Sequence, residues 1–267
     1  GFESVELLYE PLAAAINFES DLTENKTVLV VDVGGGTTDC SVVRMGPDHR
    51  KQDVREQDFL GHSGSRVGGN DLDINLAYRG LMPVFGLGGK LKNGHPLPSQ
   101  PYWNAVSAND IPAQTEFNSQ QNIELMEQLK RDAEHPEQLQ RLLRLQAMKQ
   151  NFQLVRSAEM AKITLTDAPA LQVDLGYLEP ELSQPITQEQ YEQAVERPVE
   201  KIVALMNEAL TQADCQPDLI YVTGGTAKSP VVKEAIARSL GDIPVVDGDH
   251  FGSVTAGLTQ WANKIYR

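Results

Sequence analysis

The sequence predicts an α/β protein, and three observations carry that reading. The β-branched runs Val28–Val33 and Leu219–Thr223 read as buried strands. Apolar residues three and four apart mark helices, and strands alternate with helices at both ends of the chain. The 267 residues suffice for one large domain or two smaller ones with a sizeable core. Hydrophobic residues make up 40% and charged residues 22%, as in ordinary globular proteins. No apolar run approaches the ~18 residues of a membrane span. The net charge of −14 repels phosphate backbones and anionic lipid, which argues against nucleic acid and membranes as partners. A polyanionic ligand would have to be held locally, by backbone amides or a metal ion.

Taken in order, Val5–Leu8 predicts a short strand, and Pro11 opens a helix over Leu12–Ile16, proline at the first helical position losing no bond. Val28–Val33 is a buried strand, Gly34–Thr37 a turn, and Ser41–Met45 its hairpin partner. Phe59–Val67 carries a second glycine-rich turn, running on to Gly68 and Gly69, followed by an amphipathic stretch over Asp71–Tyr78. Residues 80–117 are so rich in proline and glycine that regular elements are not expected there. A helical pattern begins at Asn118, and Pro136 separates two helices. The second runs to about Leu165 with Leu142, Leu145, Met148, Phe152 and Val155 on its core face. Residues 171–178 predict a strand. Thr187 and Gln190 form a capping box that starts a helix kinked or divided at Pro198. The strand Leu219–Thr223, the turn Gly224–Thr226, a helix over Pro230–Leu240, a strand over Ile243–Val246 and a helix over Ser253–Lys264 complete the chain.

Chemistry concentrates in the glycine turns. A strand ending in glycines exposes consecutive N–H groups in a concavity that suits phosphate oxygens. Asp32 stands at the strand end, where its carboxylate could hold Mg²⁺ waters, and Thr37, Thr38 and Asp39 add hydroxyls and a second carboxylate. A tight hairpin turn with solvated acids explains the same residues about as well. Similar turns recur at Gly68-Gly69-Asn70-Asp71 and Gly224-Gly225-Thr226. Glu159, Lys162 and Thr166 project from one side of their helix, as either a polar contact surface or an exposed face with a weak ion pair. Other motifs fail: Gly89-Lys90 lacks the first glycine and the Ser/Thr of a P-loop, the five histidines have no zinc spacing, and no nucleophile elbow is present. Cys40 and Cys215 read as idle thiols, with a single disulfide as the alternative.

The order of these segments resembles the nucleotide-binding domain of DnaK-type heat-shock chaperones, in the actin-like ATPase superfamily. Glu10–Ala15 is similar to the family's EPTAAA helix start, Asp32–Asp39 to its DLGGGTFD phosphate loop, and Val67–Asp73 to LGGEDFD. Glu159–Lys162 resembles ERAK, and Val222–Pro230 resembles VGGSTRIP. The likeness covers most of the chain outside about 80–135, with details nearest to bacterial YegD-like proteins.

The resemblance implies an actin-like, ribonuclease-H-like lobe with a mixed sheet flanked by helices and a smaller α+β subdomain. The core subdomain would comprise 1–67 and 186–267, with the connecting strand and helix at 1–24. The smaller subdomain would be 68–185, with an insertion at about 80–135. It implies ATP or ADP with Mg²⁺ as ligands. Amides of the Gly34, Gly35, Gly36 and Thr37 loop would hold the β- and γ-phosphates. Asp32 and Asp39 would organise Mg²⁺ waters and the attacking water, with Glu10 near the metal. Gly68, Gly69 and Thr166 would also bind the nucleotide, Glu159 and Lys162 would contact the ribose, Gly224, Gly225 and Thr226 would line the purine and phosphate side, and Lys228 would stand on the adenine side. Ile163 and Lys228 stand where the family has adenine-packing arginines, Asn70 where it has glutamate, and Phe251 where aspartate is usual. The partners implied are nucleotide, client proteins and a cochaperone, in the cytoplasm.

Gly1–Ser4 show neither a starting Met nor a signal peptide, and the family's first phosphate loop and lysine are not in the 267 residues. The chain is therefore expected to be one lobe of a two-lobed ATPase that hydrolyses ATP only with the other. The rivals are a non-hydrolysing nucleotide sensor or scaffold, and an actin-like sugar kinase or filament protein.

Overall fold

The computed structural model describes residues 4–52, 55–248 and 252–266. Along the chain come α1 (Glu10–Glu19), β1 (Lys26–Val33), β2 (Thr38–Met45), β3 (Phe59–Ser65) and α2 (Gly69–Leu76). Next are α3 (Gln100–Val106), α4 (Ile111–Phe117), α5 (Gln120–Asp132), α6 (Pro136–Ala147) and α7 (Asn151–Thr164). They are followed by β4 (Ala170–Asp174), β5 (Ser183–Thr187), α8 (Gln188–Ala213), β6 (Leu219–Thr223), α9 (Pro230–Leu240), β7 (Val245–Asp247) and α10 (Ser253–Ile265). Two compact units result: Gly1–Gly69 with Arg197–Arg267, and Asn70–Glu196.

The first unit is built on a five-stranded mixed sheet in the order β3-β2-β1-β6-β7. β1, β2 and β3 pair antiparallel, whereas β6 and β7 join parallel to β1. Val28 to Val31 are fully buried, as a central strand of β-branched and apolar residues demands. Each such side chain contributes roughly 1.5–3 kcal/mol. Leu12 and Ile16 of α1 pack on Val28, Val30, Val43, Leu219 and Tyr221, and Phe18 stacks on Tyr221 at 4.5 Å. α10 crosses α1 so closely that a β-carbon on Gly257 would lie 1.6 Å from the Ala13 carbonyl oxygen.

The second unit is mainly helical, with Phe85, Tyr102, Phe117, Met126, Leu139 and Leu142 in its core and the β4–β5 hairpin beside them in sequence. The capping box is in place: the Thr187 N–H donates to Gln190 Oε1 at 2.9 Å, and the Gln190 N–H donates to Thr187 Oγ1 at 3.2 Å.

Several local expectations are corrected. Val5–Leu8 is not a strand: it pairs with no neighbour among the described residues, and Val5 and Leu7 are exposed. Residues 59–65 form β3 rather than a turn. Their glycines admit close neighbours, since a β-carbon on Gly61 would lie 2.2 Å from the Ala209 carbonyl of α8. Residues 80–117 contain a one-turn 3₁₀ helix (Met82–Phe85) besides α3 and α4. Pro83, Pro101 and Pro112 sit in the first turns of these helices, where they start elements instead of breaking them, and Pro96 and Pro98 lie outside helices.

The long helix to Leu165 is two helices, α6 and α7. Lys149 between them has a φ of 54°, and Met148 and Phe152 are exposed rather than in the core. The predicted strand at 171–178 stops at Asp174, and its partner β5 carries too little apolar residue for a sequence signal. Pro198 does not divide α8, which continues through it with Val195 and Val199 buried on either side. Phe251 lies outside the described residues.

Candidate functional site

In the first unit, the three glycine turns meet. Asp32 and Asp39 face each other across the β1–β2 hairpin, so both side chains leave the same face of the sheet. The intervening Gly34–Thr37 loop closes on a hydrogen bond from the Gly34 N–H to the Thr37 carbonyl at 2.9 Å. The Gly34 carbonyl in turn accepts from the Gly69 N–H at 3.0 Å and from Thr226 Oγ1 at 2.8 Å. Thr38 Oγ1 donates to the Val67 carbonyl at 2.8 Å, tying the second turn to the base of the first.

This packing explains why glycine stands at these positions. A β-carbon on Gly68 would meet the carbonyl oxygens of Gly34 at 2.7 Å and Gly35 at 2.8 Å, and one on Gly69 would meet Thr226 Oγ1 at 2.5 Å. Gly224, at φ +86°, lies against the Val33 carbonyl and Asp32 Oδ1, within 2.5 Å of where its β-carbon would be. Gly68, Gly69 and Gly224 are buried in the junction, whereas Gly35, Gly36, Thr37, Gly225 and Lys228 are exposed. Thr226 is half-buried, in the one-turn 3₁₀ helix Gly225–Lys228.

The electrostatics of the loop are acidic. Burial, followed by the nearby carboxylates of Glu10 and Asp39, pushes the Asp32 pKa from 3.8 to about 6. Glu10 is the exposed first residue of α1. Among the described residues, no group of three or more His, Cys, Asp or Glu could hold a metal ion directly. A cation held by Asp32 and Asp39 through its waters is compatible with that donor set, and its charge would relieve their mutual repulsion. Cys40, next to Asp39 in sequence, is buried: burial first, then Asp39, pushes its thiol up to about 12, and both cysteines are free thiols.

In the second unit, α7 carries Glu159 and Lys162. Lys162 Nζ pairs with Asp73 Oδ1 of α2 at 2.7 Å, and Glu159 pairs with Arg156 at 2.5 Å. The ion pair expected on this face is therefore made with other partners. Desolvation raises the pKa of the buried Asp73, with Lys162 opposing the shift. Thr166 does not share the helix face: α7 ends at Thr164, and the Thr166 hydroxyl bonds back to the Lys162 carbonyl at 3.4 Å. Ile163 is 52% exposed. Asp73 is the residue that sequence reasoning passed over, although it closes the Val67–Asp73 segment. Its role needed a neighbour from a distant helix.

Residues 1–74 match the family described as MreB/Mbl protein. Over 253 residues the chain is 24% identical to chaperone protein dnaK3 of Synechococcus elongatus, covering 91% of this chain and 26% of that protein. The same figures hold for chaperone protein DnaK 1 of a Synechococcus species. Chaperone protein dnaK of Emiliania huxleyi is 24% identical over 254 residues, 91% of this chain and 31% of that one. The chain is similar to DnaK chaperones over most of its length, and its mixed α/β architecture is consistent with an actin-like ATPase fold. The chain spans between a quarter and a third of the length of the curated relatives it matches. Its mixed sheet and flanking helices agree with that fold, and among the described residues no helix is long and apolar enough to cross a membrane.

Proposed function

We propose that this chain is the second lobe of the ATP-binding domain of a divergent DnaK-type chaperone, and that the Gly34–Thr37 loop holds the β- and γ-phosphates of Mg-ATP. The observation that carries the reading is the convergence of the three glycine turns on the Gly34 carbonyl, beside two opposed carboxylates. A loop so fixed presents backbone N–H groups to an anion without first having to order them. Asp32 and Asp39 orient the waters of Mg²⁺, and Glu10 adds negative charge near them. The metal, when bound, neutralises charge on the phosphates, so the protein's part is positioning rather than covalent chemistry.

On the same reading, Glu159 and Lys162 serve the ribose, and Gly225 and Lys228 the purine side. Residues 1–67 and 186–267 act as the core subdomain, 68–185 as the smaller one, and the protein works in the cytoplasm with clients and a cochaperone. Hydrolysis belongs to the complete two-lobed domain.

Calorimetric titration of the chain with Mg-ADP and Mg-ATP tests this. Binding is expected, weakened about 10–100-fold by Asp32→Asn, which removes a charge that orients the metal's waters. Absence of heat with both nucleotides at millimolar concentration overturns the reading. The exposed Ile163 on α7 favours one rival, a nucleotide sensor that binds without hydrolysing. Single-turnover phosphate release by the complete protein would exclude the sensor.

A further inference from the structure

The geometry points to Thr226 as a positioning residue: its hydroxyl orients the Gly34–Gly35 peptide so that the Gly35 N–H faces the phosphate side of the loop. This rests on the phosphate-binding reading and assigns Thr226 a task other than ligand contact.

A carbonyl oxygen has two lone pairs, and those of Gly34 are both engaged, one by the Gly69 N–H at 3.0 Å and one by Thr226 Oγ1 at 2.8 Å. The hydroxyl has a single proton, and it is spent on that bond. No cis peptide occurs among the described residues. In a planar trans peptide, the N–H of one residue points opposite to the carbonyl of the residue before it. Two donors that hold the Gly34 oxygen inward therefore aim the Gly35 N–H outward, and Gly35 is exposed.

The third hydrogen bond of the turn, from the Gly34 N–H to the Thr37 carbonyl, prevents the peptide from relaxing by rotation on its other side. Packing adds to the restraint. Gly68 leaves no room for a β-carbon beside the carbonyls of Gly34 and Gly35, and Gly69 leaves room for Thr226 Oγ1 where a side chain would displace it. Glycine is the residue least able to hold a peptide orientation unaided, so a Gly-Gly-Gly loop needs outside donors to become an anion site. Thr226 is the side-chain donor of the pair, and it comes from the third turn, far along the chain.

The test separates this task from simple structural support. Amide hydrogen exchange at Gly69, whose N–H shares the acceptor with Thr226, reports the junction without any ligand. Titration with Mg-ADP and with adenosine reports phosphate and nucleoside binding separately. For Thr226→Val, the expected result is exchange at Gly69 faster by about tenfold and Mg-ADP affinity lower by about tenfold, the worth of one net hydrogen bond. Adenosine affinity is unchanged, and Thr226→Ser restores the exchange rate and the Mg-ADP affinity. Thr226→Ala serves if the valine variant does not fold.

Mg-ADP affinity unchanged in Thr226→Val overturns the inference, whether or not exchange accelerates. So does an equal loss of Mg-ADP and adenosine affinity. Failure of the unsubstituted chain to bind Mg-ADP overturns the phosphate reading and this inference with it. That failure is distinguishable, because it appears before any substitution is made.

Discussion

The two ends of the β1–β2 hairpin each gather carboxylates, and they treat them in opposite ways. At the open end, beyond Met45, Glu19 and Asp58 are buried and neutralised from within. Arg55 donates to both Glu19 oxygens at 2.7 and 2.9 Å and to Asp58 Oδ2 at 2.6 Å. His49 Nδ1 meets the other Asp58 oxygen at 2.7 Å, and the Gly46 N–H donates to Glu19 at 2.9 Å. At the turn end, the neighbours that act on Asp32 are themselves acidic, Glu10 and Asp39. A carboxylate cluster that serves the fold carries its own countercharge. On the proposed reading, one left repelling itself beside a glycine loop is where a cation from outside would be held.

Substitutions at the two ends should therefore have opposite signs. The largest effect is expected from Arg55→Met, which strands two buried carboxylates and should lower unfolding free energy in urea by about 3–5 kcal/mol. A loss below about 1 kcal/mol would erase the distinction between the ends. Asp32→Asn should do the reverse and stabilise the chain at pH 7 in EDTA by about 1–2 kcal/mol, the linkage value reduced for partial exposure of the carboxyl.

The sign follows from the raised pKa. Stability due to protonated Asp32 is complete below 3.8 and is lost as pH rises through about 6. The stability difference between Asp32→Asn and the unsubstituted chain should therefore open across that window and stay constant above it. A difference that does not change with pH would show that the self-repulsion is absent. At the open end again, His49→Asn removes one hydrogen bond to Asp58 and should cost about 1 kcal/mol in the same unfolding assay. The smallest change is expected from Glu10→Gln, which should move the Asp32 titration to lower pH, followed by NMR, with little effect on unfolding.

How much of this was legible in sequence depended on how local the cause was. The capping box at Thr187, the N-terminal proline of α1 and the β-branched strands β1 and β6 act within a few residues, and each could be read directly. The Gly34–Thr37 turn was legible as a turn but equally as a phosphate loop, and the contacts that fix its shape come from Gly69 and Thr226, far along the chain. Proline content misled over 80–117, since composition does not say whether a proline falls inside a helix or at its first position. The apolar spacing through Met148 and Phe152 misled for a related reason: periodicity continues on paper across Lys149, where the backbone does not.

By itself, the sequence determined the α/β class, most of the strands and helices, and the order of the glycine turns, because hydrophobic periodicity and capping operate over short distances. Tertiary structure alone decided how those turns meet. It brought three of them onto one carbonyl oxygen, set Asp32 opposite Asp39, paired Lys162 with Asp73 and gave Glu19 its arginine 36 residues away. Hydrogen bonds and charges act across space rather than along the chain, so only the folded backbone could show which carboxylates are already answered and which still face one another.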